Sequence, residues 1–187
     1  MGKFAVIPAD TFDEMQLDAG ILLSNFTLAT QAFQNSDIIC ATTGGIQITC
    51  TPTYSDMGSD VDNCPNNTKE LKHLDSWECT IAFTALGVTP EVIKLALGAA
   101  DITAASGLVT PRGSVSSNDF ADLWWVGDRA DGGIVAVHLK NALSTGGFSL
   151  KTTKNGKGQL SVTLTGHVAQ ATPTEVPMLI YSADKYT

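Results

Sequence analysis

Residues 46–86 read IQITCTPTYSDMGSDVDNCPNNTKELKHLDSWECTIAFTAL, and their pattern decides the fold. At the front, Ile46, Ile48 and Cys50 alternate with Gln47, Thr49 and Thr51. At the back, Trp77, Cys79, Ile81 and Phe83 alternate with Glu78, Thr80, Ala82 and Thr84. A period of two sends successive side chains to opposite sides of an extended chain. Each run is therefore a half-buried strand with one apolar and one polar face. The runs match in character and flank one connection, which predicts an antiparallel pair. The connection, Tyr54–Leu74, is unusual. Tight hairpins close with two to five residues, and longer structureless connections are functional or disordered. This one carries Asp56, Asp60, Asp62 and Pro65 and has little to bury.

Outward from this stretch, residues 1–45 read as an N-terminal arm and linker of the same domain. Leu17–Leu28 is apolar without a clean period, and Thr42–Gly45 is turn-like. Downstream, a helix is predicted over 90–98. Thr89 can cap it, Pro90 suits the first helical position, Glu91 complements the dipole and Gly98 can end it. Val92, Ile93, Ala96 and Leu97 would form its apolar face. The rest reads as strand: Ile102–Thr110, Phe120–Val126, Ile134–Asn141, Phe148–Thr153, Leu160–Thr165 and Pro177–Ser182. Asp128–Gly133 and Asn155-Gly156 supply turns. Short antiparallel strands with one helix give a mainly β fold, a sandwich or barrel with one flanking α-helix, whose body is 46–187.

The chain has 187 residues, enough for one domain, and its 43% hydrophobic content can fill a core. Eleven Lys and Arg against nineteen Asp and Glu give a net charge of −8. That balance argues against gripping a phosphate backbone, which requires a basic surface. No apolar run reaches membrane-spanning length, and MGKFAVIPAD at the start lacks a secretory pattern. Cys40, Cys50, Cys64 and Cys79 contain no C-x-x-C pair and read as reduced thiols, although the pattern leaves open whether Cys50 and Cys79 are bridged.

Catalytic and metal motifs are weak. His73, His138 and His167 have no partner at zinc-ligand spacing. An EF-hand starting at Asp60 would need Gly at 65 and Glu at 71, where Pro65 and Leu71 stand. That leaves Asp56, Asp60 and Asp62 as solvated or intersubunit carboxylates, with an irregular calcium loop as the alternative. Gly156-Lys157-Gly158 sits in a hairpin turn rather than in a phosphate loop. Trp124 and Trp125 are adjacent on a strand, so they face opposite ways; core packing for one and an interface for the other is expected. The reading is of a protein that is not an enzyme and uses no cofactor or metal.

The succession TPTYSDMGSDVDNCPNNTKELKHLDSWECTIAFTAL, TPEVIKLALGAADI, NDFADLWWVGD and VHLKNALSTGGFSLKTTKNGKGQLSVTLTGH resembles the major tail tube proteins of long, non-contractile-tailed (siphovirus-type) bacteriophages. The resemblance covers roughly 17–182 and leaves 1–16 outside. It implies a β-sandwich or barrel with one flanking helix. Six copies would form a ring, and rings would stack into the virion tail, assembled in the host bacterial cytoplasm. An inner sheet from each copy would join its neighbours around a channel. Partners would be other copies, the tape-measure protein in the lumen, tail terminator and baseplate or distal tail proteins, and DNA in transit without specific binding. No membrane is involved.

On this resemblance Gln47, Thr49, Thr51, Glu78, Thr80 and Thr84 would line the channel. Phe148–Thr153 and Leu160–Thr165 would complete the inner sheet, with Lys151 an awkward cation in such a lining. Tyr54, Asp56, Met57, Asp60, Asp62, Asn66, Lys69 and Lys72 would reach the next ring. The alternative is a carbohydrate-binding or adhesion β-sandwich module on a phage or cell surface.

Overall fold

The computed structural model describes Phe4 and residues 6–184; the outermost parts of the predicted arm and body lie outside the described residues. Ten strands and one α-helix follow in order. These are β1 (Gln16–Leu23), β2 (Thr42–Asp56), β3 (Lys72–Ala85), α1 (Pro90–Leu97), β4 (Ala100–Thr103), β5 (Leu108–Pro111), β6 (Ala121–Arg129), β7 (Ile134–Ser144), β8 (Ser149–Lys151), β9 (Gln159–Gly166) and β10 (Met178–Ala183). Eight strands form one antiparallel sheet in the order β1-β6-β7-β9-β3-β2. β10 pairs with β7, and β8 pairs with β9. β4 and β5 form a separate hairpin beside the helix. The predicted mainly β fold with one flanking helix is observed.

One strand bends the sheet into a sandwich. Along its first half β7 pairs with β10, from Ile134↔Ala183 to Leu139↔Met178. Then it switches partner, and Ala142, Leu143 and Ser144 pair with Gly166, Thr165 and Leu164 of β9. Asn141 marks the switch, with φ of 47° and its backbone N–H donated to Asp122 at 3.0 Å. This irregularity advances the side-chain phase by one, so both Leu139 and Ala142 reach the core. The sheet thus folds into two halves, β2-β3-β9-β8 and β1-β6-β7-β10.

The main core fills the space between them. Cys79, Ile81, Phe83 and Ala85 of β3 and Leu160, Val162 and Leu164 of β9 meet Leu123, Trp125, Val137 and Leu139 of the other half. Burying apolar surface at about 25 cal/mol per Å² is what holds the halves together. Ile46, Ile48 and Cys50 pack against this core but stay partly exposed because β2 is the sheet edge, and so does Trp77, which lies on β3 beyond its pairing with β9. The helix closes one side through Val92, Leu95 and Ala96, rather than the predicted face through Ile93 and Leu97. Thr89 Oγ1 accepts the Val92 N–H at 3.4 Å, Pro90 opens the helix, and Gly98 ends it with φ of 76°. Boundary and capping signals therefore read correctly.

Four expectations need correction. Residues 16–45 are no mere arm: β1 is a sheet strand, and β2 begins at Thr42. Its period is hidden because the register slips between Leu17 and Ile21, where Asp18 and Gly20 take positive φ. A Cβ on Gly20 would sit 2.5 Å from the Val126 carbonyl oxygen, so glycine is required there. Ile102–Thr110 is two short strands around a turn. β6 runs on through Asp128 and Arg129, leaving a shorter turn before Ile134. Tyr54–Asp56 and Lys72–Leu74 belong to strands, so the projecting loop is 57–71.

Trp124 and Trp125 face opposite sides as expected. Trp125 enters the main core and donates its Nε1–H to the Ala19 carbonyl at 2.9 Å. Trp124 packs on the other side with Phe26 and Tyr181, and stacks on His138 with ring centroids 4.1 Å apart.

Candidate functional site

The candidate site grows from the polar half of the strand alternation. In the half-sheet β2-β3-β9-β8, every inward residue of β3 from Cys79 to Ala85 is buried, and the residues between them are not. The register then aligns the outward residues into rungs. Thr49 lies opposite Thr80, and Thr80 opposite Thr165. Gln47, Ala82 and Thr163 form the next rung, and Thr84, Ser161 and Ser149 another. Thr51 faces Glu78.

The sequence-predicted residues Gln47, Thr49, Thr51, Glu78, Thr80 and Thr84 all fall on this one face. Ser161, Thr163 and Thr165, from the strand expected over Leu160–Thr165, continue it. Their alternation is visible in the sequence, but only the β3–β9 pairing reveals that they extend the same surface. The two further strands expected beside them pair in the same sheet, β9 with β3 and β8 with β9. β8 is shorter than Phe148–Thr153, spanning three residues.

The chemistry of the face is uniform. Thr49 and Thr80 hydroxyls lie 2.5 Å apart, and those of Thr145 and Thr165 2.8 Å apart. Hydroxyls that bond sideways to each other have less capacity left for a passing phosphate. Along 47–53, 76–84, 149–151 and 159–165 of the outward face, the only charges are Glu78 and Lys151. Behind the face, Cys50 and Cys79 are opposite neighbours with sulfurs 3.0 Å apart, both as free thiols. Burial, with a hydrogen bond to Cys50, pushes the Cys79 thiol up to about 12.

The second part is the hairpin that carries β2 and β3 past the rest of the sheet. β9 stops pairing at Thr80↔Thr165, while β2 and β3 continue to Asp56↔Lys72. The 57–71 loop at its tip is internally bonded. Asp56 accepts the N–H groups of Gly58 at 3.0 Å and Asn67 at 2.8 Å. Lys72 Nζ donates to Asn67 Oδ1 at 3.0 Å, and the Met57 N–H to the Leu71 carbonyl at 2.9 Å. The two amides, with Lys72 nearby, hold the Asp56 carboxyl below its ordinary value of 3.8. Tyr54, Met57, Asp60, Asp62, Asn66 and Lys69 are exposed around it. Asp56 is thus the organiser of the loop, whereas the others are presented by it.

Other clusters are engaged in holding the fold. A cleft of about 460 Å³ between α1 and residues 36–39 carries Asp37, Glu91 and Asp122. Asp37 accepts the Gln34 N–H, and Asp122 binds both His138 Nε2, at 3.1 Å, and the Asn141 N–H. Among the described residues, no group of three or more His, Cys, Asp or Glu is placed to hold a metal ion, and no helix is long and apolar enough to cross a membrane. Compared with known proteins, the chain matches no family model and no curated protein.

Proposed function

We propose that this chain is a structural virion protein, the major tube subunit of a long non-contractile phage tail. It polymerises through hexameric rings into a tube that conducts DNA. The observation that carries this reading is the half-sheet β2-β3-β9-β8. It has a core-facing side, a nearly uncharged hydroxyl-rich side, and two strands, β2 and β8, that end the sheet without a further partner among the described residues.

An open edge as long as β2 is an aggregation hazard unless it is covered or paired. Pairing β2 of one copy with β8 of the next covers the edge of β8 and part of that of β2, and continues the sheet. Six copies would give about 24 strands at roughly 4.8 Å spacing and about 40° tilt. That closes to a backbone diameter of roughly 45–50 Å, leaving a lumen of about 30–40 Å for a duplex once side chains are subtracted. The tape-measure protein would occupy it before DNA does. The wall acts by not binding: it offers no basic surface for counterion release.

The test is a substitution on the face. Assembled wild-type protein should not retain double-stranded DNA in co-sedimentation at low salt. Thr80→Lys and Thr84→Lys proteins should assemble equally well and retain it, and during ejection they should slow passage. Lysine variants that assemble yet handle DNA like the wild type would remove the face from the channel wall.

The carbohydrate-binding alternative needs an open aromatic platform. Trp124, the outward tryptophan, is instead packed among His138, Tyr181 and Phe26.

A further inference from the structure

The two ends of the half-sheet carry opposite unpaired charge. β3 runs from the 57–71 loop at Lys72 to Ala85, and β9 enters antiparallel to it with Leu160 opposite Ala85. The β8–β9 turn therefore lies at the end away from the loop. The separation is the length of β3, roughly 40 Å at about 3.3 Å per residue.

The turn holds Lys154 and Lys157, with Lys151 at the end of β8 beside them, all exposed, and no acid lies between Asp131 and Glu175. At the loop end, 54–75 carries Asp56, Asp60, Asp62, Glu70 and Asp75 against Lys69 and Lys72, a net charge of −3. Asp56 and Asp75 already bond within the hairpin. The side chains of Asp60, Asp62 and Glu70 have no ion pair or hydrogen bond among the described residues, and neither do Lys151, Lys154 and Lys157. Three of the eleven cations in an acidic chain are thus gathered at this end of the half-sheet, two on the turn and one at the end of β8, with nothing to meet them.

We propose that the acidic 57–71 loop of one copy docks on the basic β8–β9 turn of a second copy in the next ring, so that charge sets the head-to-tail polarity of stacking. This rests on the tube reading and names the surfaces that join its rings. A contact between two different patches of the same chain is heterologous and propagates without closing, as a stack requires. Like ends repel, which excludes head-to-head pairing. The apolar contact comes from the same end of the hairpin: Tyr54 of β2 and Met57 and Val61 of the loop are 52%, 63% and 54% exposed. Charges then steer and orient what these residues bury.

The direct test is zero-length carbodiimide cross-linking of a mixture of ¹⁴N- and ¹⁵N-labelled full-length protein, read by mass spectrometry. Such a link forms only where a carboxylate touches an amine, and the two ends of one copy are too far apart. Mixed-isotope links from Asp60, Asp62 or Glu70 to Lys154 or Lys157 are expected, suppressed by about 0.5 M salt. In parallel, Lys154→Glu/Lys157→Glu should raise the concentration needed for stacking at least about tenfold. Adding Asp60→Lys/Asp62→Lys should restore it. Circular dichroism and melting of each variant check that these surface changes leave the fold intact. Tubes that form without these links, or stack undiminished after charge reversal, overturn the inference and leave the tube reading standing. The same holds if reversal abolishes only DNA binding by the turn. A protein that forms no rings or tubes overturns both.

Discussion

At Thr80 and Ile81, two neighbouring residues of one strand have opposite duties. Ile81 is fully buried between the half-sheets, and Thr80 points away from them. Ile81→Ala should cost about 2–5 kcal/mol, since it removes buried methyl groups and leaves a cavity. Thr80→Ala loses one hydroxyl pair with Thr49 and should cost about 1 kcal/mol or less. Urea titration of both variants measures this. Equal losses would mean that the face around Thr80 is structural rather than presented. The cysteines behind the face follow the same division. Cys79 is a buried thiol whose high value keeps it protonated at neutral pH, so it acts as a small apolar side chain.

At the scale of elements, the hairpin loop depends on one ionised carboxylate. Asp56 is held below 3.8 in the folded loop by the Asn67 and Gly58 amides and Lys72. A depressed carboxylate contributes stability that is fully present above the unfolded value and is lost as pH falls through the folded one. The loop should therefore loosen below about pH 3.8, with the Gly58 and Asn67 amides exchanging faster as Asp56 takes up its proton. Asp56→Asn should remove that pH dependence, which amide exchange can follow; unchanged protection on acidification would reject the role of Asp56. Such elements differed in how far the sequence disclosed them. β3 was legible because seven successive inward and outward residues keep step, and α1 because Thr89, Pro90 and Gly98 mark its ends. β1 was not, since Asp18 and Gly20 break its period. The partner switch in β7 was also hidden, because it hangs on the backbone of Asn141 and its contact with a distant Asp122. The outward positions of β2, β3 and β9 were legible from alternation, whereas the rungs that align Thr80 with Thr165 and Ala82 with Thr163 depend on long-range pairing.

At the scale of the whole molecule, several unmet needs gather on the half-sheet β2-β3-β9-β8. The edges of β2 and β8, the exposed loop and the opposite charges at its two ends all belong to the same four strands. The proposed stack of rings would use each of them. Negative-stain electron microscopy of the purified protein across a concentration series tests this most directly. The account predicts rings or hollow tubes with six-fold end views and a stain-filled lumen of about 30–40 Å. Particles that stay monomeric at every concentration, while binding glycans, would contradict it.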